Sequence, residues 1–262
     1  MKTGISTAAF YLRRENDEAF SLLKELGSEC TEMFFTSFSE YDPAFSRSIL
    51  PLKGEIEVHS VHILTSQIEP QFFNPHPKVR MDAYYFLEQT MRSAALLGAK
   101  YYTFHGITRA KRAARSGEND NFERVGRLTA ELCEFCEKFG VTLCQENVEW
   151  AFYNRPGVYR KLKEQCPGLK GVLDLKQARL SGFDWREYLR EMGGDIAHVH
   201  VTDVDGDGKM CLPGKGKFPF RELVARLKDE GFDGPLLIEP YSGDYRELSE
   251  LSEAEAYLRS LL

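Results

Sequence analysis

The stretch VTLCQENV, Val141 to Val148, decides the fold. Read as a strand, it puts Thr142, Cys144 and Glu146 on one face and Val141, Leu143 and Gln145 on the other, because side chains change sides at every residue. A carboxylate then ends the inward face of a buried strand. Burying it is costly unless it is paired or metal-bound, so Glu146 demands a partner. Four more short apolar runs finish the same way: YYTFHG brings His105, GVLDLK brings Asp174, HVHVTD brings His200 and PLLIEP brings Glu239. They read as one site.

Working outward, strands are expected over 4–7, 30–34, 57–62, 101–105, 141–146, 171–174, 196–201 and 236–239. Helices are expected over 16–26, 43–52, 77–97, 119–139, 157–165, 184–191, 219–230 and 245–261. LLGAK, KFGVT and DEGFDG each place glycine just after a helical run, and Pro219 suits a first helical turn. Strict alternation of strand and helix implies parallel strands joined by right-handed crossovers. Eight units in 262 residues, roughly 33 residues each, fit a closed (β/α)8 TIM barrel better than an open doubly wound sheet. No domain boundary interrupts residues 1–262, so one α/β domain is expected.

The net charge of −6 and a pI near 5.6 argue against a general nucleic-acid binder, which needs a basic face for phosphates. MKTGISTAAFY has no long apolar stretch, and no uncharged run reaches membrane-spanning length, so neither a signal peptide nor a membrane partner is expected. The six cysteines, at 30, 133, 136, 144, 166 and 211, are scattered through apolar contexts and read as reduced thiols of a cytoplasmic protein. Cys133 and Cys136 form a lone C-x-x-C, read as one helix face, with a redox or zinc role as the alternative.

In a barrel of this kind, function gathers at the C-terminal strand ends. His62, His105, Glu146, Asp174, His200 and Glu239 all fall there, while Leu143, Val199, Val201, Leu236 and Ile238 face the helices. Three carboxylates and an imidazole repel one another unless a cation lies between them. Glu146, Asp174, His200 and Glu239 make a hard, oxygen-rich set with one nitrogen, suited to one divalent ion: Mn²⁺, Co²⁺, Zn²⁺ or Mg²⁺. His198, one layer below His200, is expected in the core, and His59, of opposite parity to His62, is expected to face a helix.

These residues resemble the xylose-isomerase-like TIM barrels, which include sugar epimerases, inosose isomerases and dehydratases, and endonuclease IV. The carriers run nearly the whole chain: SVH at Ser60 to His62, FHG at Phe104 to Gly106, QEN at Gln145 to Asn147, LD at Leu173 to Asp174, HVHVTD at His198 to Asp203, LPGKGKFPF at Leu212 to Phe220 and IEP at Ile238 to Pro240. The resemblance implies a metal quartet of Glu146, Asp174, His200 and Glu239, with Glu146 and Glu239 as the catalytic acid/base pair. It implies an isomerase or epimerase of a sugar, sugar phosphate or inosose, acting by proton transfer through a metal-stabilised enediolate. The partner is then a small polyhydroxy carbonyl compound, phosphorylated or not, and family members often form homo-oligomers. A keto-polyol dehydratase, an endonuclease IV-like phosphodiesterase and a non-catalytic sugar-binding barrel are the alternatives.

This chain also departs from the family. Many relatives place a histidine three residues after the aspartate, but DLKQ puts Gln177 there, with Lys176 inside the motif. Gly208 and Met210 stand where endonuclease IV-like relatives carry Asp-x-His, which leaves a trinuclear site incomplete. Ketose 3-epimerases carry a further glutamate shortly after the first ligand, whereas Trp150 and Phe152 follow Glu146 here.

His62, His105, Lys176, Gln177 and Trp150 are the expected substrate contacts. For the two histidines, a buried supporting role or a second metal is the alternative. Lys176 reads as an anion contact or an internal salt bridge. Asn147 and Asp203 are expected behind the ligands, orienting them, with a loop turn as the alternative for Asp203. LPGKGKF is compatible with backbone N–H groups offered to an anion, or with a tight loop. Phe10, Trp150 and Tyr241 are candidate sugar-site walls. The basic run RAKRAAR, Arg109 to Arg115, reads as a solvated segment or a phosphate contact.

Overall fold

Eight parallel strands alternate with eight principal helices and curl into a nearly closed barrel. The structure is a computed structural model that describes residues 1–64, 68–108 and 118–262. The barrel strands are β1 (Lys2–Ile5), β2 (Cys30–Phe35), β3 (Glu57–Ile63), β4 (Tyr101–Phe104), β5 (Thr142–Glu146), β6 (Lys170–Asp174), β7 (Ile196–Val201) and β8 (Pro235–Ile238). Each is followed by its helix: α1 (Ala19–Leu26), α2 (Pro43–Lys53), α3 (Pro77–Leu97), α4 (Glu118–Glu137), α5 (Val158–Gln165), α6 (Trp185–Met192), α7 (Phe220–Asp229) and α8 (Ser249–Arg259). Among the described residues no helix is long and apolar enough to cross a membrane.

The backbone ladder runs β1-β8-β7-β6-β5-β4-β3-β2, all parallel. Side chains bridge the remaining seam between β1 and β2. Thr31 Oγ1 donates to the Ile5 carbonyl at 2.6 Å, and Thr7 Oγ1 accepts from Phe34 N at 2.8 Å. Gly4 is needed at this seam, since a Cβ there collides with the Cys30 carbonyl. β1 ends two residues before its expected end, because Ser6 caps the 3-10 turn Thr7–Phe10 by accepting from Ala8 N.

Two irregularities in register revise the parity reading. Between β2 and β3, Thr31 pairs with Val58 but Glu32 pairs with Ser60, so His59 is an extra residue. Between β6 and β7, Gly171 pairs with Ile196 but Val172 pairs with His198, so Ala197 is another. A bulge reverses the alternation beyond it. His59 therefore turns into the barrel rather than toward a helix, and its Nε2 lies 3.2 Å from the Ala197 carbonyl.

Leu143, Leu173, Val199, Val201, Leu236 and Ile238 are buried in the main core, as the strand pattern requires, while Cys144, Val172 and Ala197 form a small inner cluster. The cysteine reading needs one correction. Cys133 on α4 is bonded to Cys166 at the end of α5, whereas Cys30, Cys136, Cys144 and Cys211 are free. Packing of α4 against α5 brings the pair together, which spacing along the chain does not reveal.

Candidate metal centre and substrate cavity

Parallel strands deliver Glu146 and Asp174 as the last residues of β5 and β6, His200 as the penultimate residue of β7, and Glu239 just past β8. One ligand atom from each lies within 4.8 Å of the others, and all four residues are buried. His200 turns Nδ1 toward the carboxylates, 3.0 Å from Glu239 Oε2, 3.3 Å from Glu146 Oε1 and 3.7 Å from Asp174 Oδ2. Glu146 Oε2 is 2.7 Å from His105 Nε2, a close ion-pair contact. Both ring nitrogens of buried His62 lack a hydrogen bond. Three crowded buried carboxylates and one imidazole fit a hard divalent cation.

The sequence reading missed Glu32, which completes this arrangement from β2. It is fully buried, and its Oε1 lies 3.0 Å from His200 Nε2, on the ring edge opposite the quartet. Its Oε2 accepts from Ser60 at 2.7 Å and Thr103 at 2.5 Å, and is 3.2 Å from His198 Nε2. His198 is thus a core residue, as expected. His62 Nδ1 sits 3.4 Å from Glu32 and 3.6 Å from Glu239. The sequence signal was a carboxylate inside the apolar run TEMFF, on a strand whose bulged partner hid its direction.

Burial pushes the Glu32, Glu146 and Glu239 carboxyls up, but the histidines outweigh it. His200, with His198 and His62, holds Glu32 well below the usual range; His105 and His200 do so for Glu146. His200 and His62 hold Glu239 at about 2. Burial pushes His62 down, yet Glu239 and Glu32 lift it to about 10. His200 is likewise carried well above its ordinary value, against burial, by Glu239 and Glu32. Asp174 moves up, because burial exceeds the opposing pull of His200 and Lys176.

Other side chains fix the backbone beneath these groups. Asn147 Nδ2 donates to the Asp174 carbonyl and its Oδ1 accepts from Asp174 N, both at 2.9 Å. Asp174 also caps the short helix Leu175–Leu180, with Oδ1 accepting from Gln177 N at 2.6 Å, and Gln177 Oε1 accepts from Glu149 N at 3.1 Å. Glu69, another buried carboxylate not singled out from sequence, accepts from Tyr102 Oη at 2.9 Å, His105 N at 2.9 Å and Gly106 N at 3.1 Å.

Asp203 serves the loop that follows β7. Its carboxylate accepts from Val204, Gly214, Gly216 and Phe218 N–H groups at 2.7–3.0 Å. Of the two readings of LPGKGKF, the tight loop holds and the anion site does not, because Asp203 takes the N–H groups of Gly214, Gly216 and Phe218.

A cavity of about 470 Å³ opens over the quartet. His62, His105, Trp150, Lys176 and Gln177 all line it, together with Glu146, Asp174 and Glu239. Trp150 meets the His105 ring edge-on at 5.4 Å. Tyr241 forms part of the wall as expected, but Tyr11 takes the place foreseen for Phe10, which is buried in the core. A larger recess of about 1000 Å³ beside Met1, Lys24 and Arg259 is faced by none of the metal-capable groups among the described residues. RAKRAAR, Arg109 to Arg115, lies outside the described residues.

Comparison with known proteins agrees with the barrel fold. The family described as xylose isomerase-like TIM barrel matches residues 20–261. Fructoselysine 3-epimerase of Escherichia coli O157:H7 is 24% identical over 254 residues, covering 91% of this chain and 90% of the relative. Among solved structures, D-psicose 3-epimerase with D-tagatose from Clostridium cellulolyticum H10 superposes with a TM-score of 0.78 at 18% identity, covering 100% of this chain and 98% of the other. The IOLI protein with a binding zinc atom gives a TM-score of 0.76 at 16% identity, covering 98% and 96%.

Proposed function

Because this chain belongs to the xylose isomerase-like TIM barrel family, we propose that it is a divalent-metal-dependent 3-epimerase of a ketose or ketose derivative. The observation that carries the reading is the pairing of Glu146 and Glu239. They come from β5 and the end of β8, and their ligand oxygens lie within 4.8 Å of each other. The relatives named as fructoselysine and D-psicose 3-epimerases support the same choice.

Glu146, Asp174, His200 and Glu239 would hold the divalent cation, which would supply positive charge against the negative charge that develops on the substrate oxygens when a proton leaves carbon. One glutamate takes the C3 proton as its carboxylate, leaving an enediolate. The other, in its acid form, returns a proton to the opposite face of C3. Each turnover moves one proton from one glutamate to the other. His105 against Glu146 and His62 against Glu239 are placed to pass it back through solvent. Trp150, Tyr11 and Tyr241 wall the cavity and limit water around the developing charge.

The test is a ketose panel incubated with Mn²⁺-loaded protein in deuterated water and followed by NMR. Deuterium at C3 with appearance of the C3 epimer is expected, and both are expected to fall at least about a thousandfold in Glu146→Gln and Glu239→Gln. No exchange at any carbon of any ketose would sink the proposal.

One observation favours a second reading. His62, His105 and Glu146 form a further group able to hold an ion beside the quartet, as a two-metal phosphodiesterase requires. Incision of an abasic-site duplex, with two ions per chain, would promote that reading over epimerisation.

A further inference from the structure

We propose that the substrate of this site carries an anionic group, a carboxylate or a phosphate, and that Lys176 binds it. The inference rests on the ketose reading and adds the substrate's charge to it. Lys176 lies two residues beyond Asp174, in the short helix Leu175–Leu180, and lines the cavity while only 4% exposed. It is the only lysine or arginine lining that cavity among the described residues.

Against burial, Asp174 and Glu239 act on its ammonium from a distance and keep it charged, but neither of them bonds to it directly. Among the described residues it makes no hydrogen bond and has no carboxylate within 4.0 Å; its close partner is the Tyr241 ring, with Nζ 3.8 Å from the centroid. A cation over a half-exposed tyrosine recovers only a small part of what an ammonium loses on leaving water. The salt bridge weighed from sequence is therefore not formed. Asp174 and Glu239, the carboxylates nearest along and across the site, belong to the quartet and are committed to a cation when one binds.

The surroundings favour an anion over more hydroxyls. Tyr11, Phe34, Leu64, Trp150 and Pro240 make the walls away from the quartet predominantly apolar, so an ion pair formed there is weakly screened. A neutral polyol end leaves the ammonium without a directly bonded charged partner. A carboxylate or phosphate supplies one, through a charge-assisted hydrogen bond. Tyr241, which lines the same cavity, steadies the lysine chain by holding Nζ over its ring.

Calorimetry on the Mn²⁺-loaded full chain with fructose, fructuronate and fructose 6-phosphate tests this. Wild type is expected to bind one of the two anions at least about tenfold more tightly than fructose, and the preferred anion identifies the source of the charge. Lys176→Met is expected to lose that preference, binding neither anion more tightly than it binds fructose, and Lys176→Arg to keep part of it. Equal affinity of wild type for all three, equal losses for all three in Lys176→Met, or no binding of either anion overturns the inference.

Carbon-bound hydrogen exchange is read on the same samples. Anion preference that depends on Lys176, without exchange, upholds the inference while the epimerase reading falls. Exchange with fructose and no anion preference does the reverse.

Discussion

Glu32 Oε1 stands 3.0 Å from Nε2 of His200, while Nδ1 of the same ring faces Glu146, Asp174 and Glu239. A buried carboxylate thus grips the imidazole from the edge opposite the quartet, fixing its rotation and raising its basicity. Glu32→Gln is expected to weaken Mn²⁺ binding about 10- to 100-fold, the usual cost of losing such a partner. In the metal-free protein the His200 titration, followed by NMR, moves down, since Glu32 is one of the groups holding it up. Unchanged metal affinity together with an unmoved titration would remove Glu32 from the metal centre.

Metal content follows from the quartet. About one divalent ion per chain is expected by mass spectrometry of protein reconstituted with Mn²⁺, Co²⁺ or Zn²⁺, with loss in both Glu146→Gln and Asp174→Asn. Asn147→Ala, which frees both backbone bonds to Asp174, is expected to retain the ion more weakly and to cost about 1–3 kcal/mol of stability. Full occupancy in all three variants would put the ion elsewhere.

Asp203 anchors four backbone N–H groups in a site almost closed to solvent. Asp203→Ala leaves those donors unsatisfied and is expected to destabilise by about 3 kcal/mol or more in urea unfolding. Asp203→Asn keeps an acceptor and is expected to lose less. Equal stability of wild type and both variants would contradict the assignment of Asp203 to the loop.

Glu255, on α8 beneath the barrel, gives a pH signature independent of the metal centre. Burial pushes its carboxyl above 4.5, and contacts to Thr3 at 3.0 Å and Arg259 at 3.3 Å do not reverse the shift. The folded state therefore holds the proton more tightly than the unfolded chain. Its stabilising contribution is full below 4.5 and is lost as pH rises through the higher folded value. Glu255→Gln removes that loss, so the variant should gain on wild type in unfolding midpoint as pH rises from about 4 to 8. A gap independent of pH would refute the prediction.

The alternation of strand and helix, the barrel and the placing of Glu146, Asp174, His200 and Glu239 at strand ends were legible in the sequence. Each depends on local periodicity: apolar runs with a polar last residue, bounded by glycine or proline. Parallel topology then carries all such ends to one face, so a linear pattern becomes a cluster. Asn147 was legible too, as the neighbour of Glu146 in QEN, although its grip on Asp174 required the adjacent strand.

The remaining features needed the tertiary structure, because each rests on residues far apart in the chain or on an irregularity with no sequence mark. The bulge at His59 turns that ring inward and gives Glu32 a partner in Ser60. Glu32 meets a histidine 168 positions away, Cys133 meets Cys166 across two helices, and the glycine loop's N–H groups close on Asp203 rather than on a ligand. Periodicity tells which face a side chain takes only while the register is regular, and it carries no information about which group stands opposite once the barrel closes.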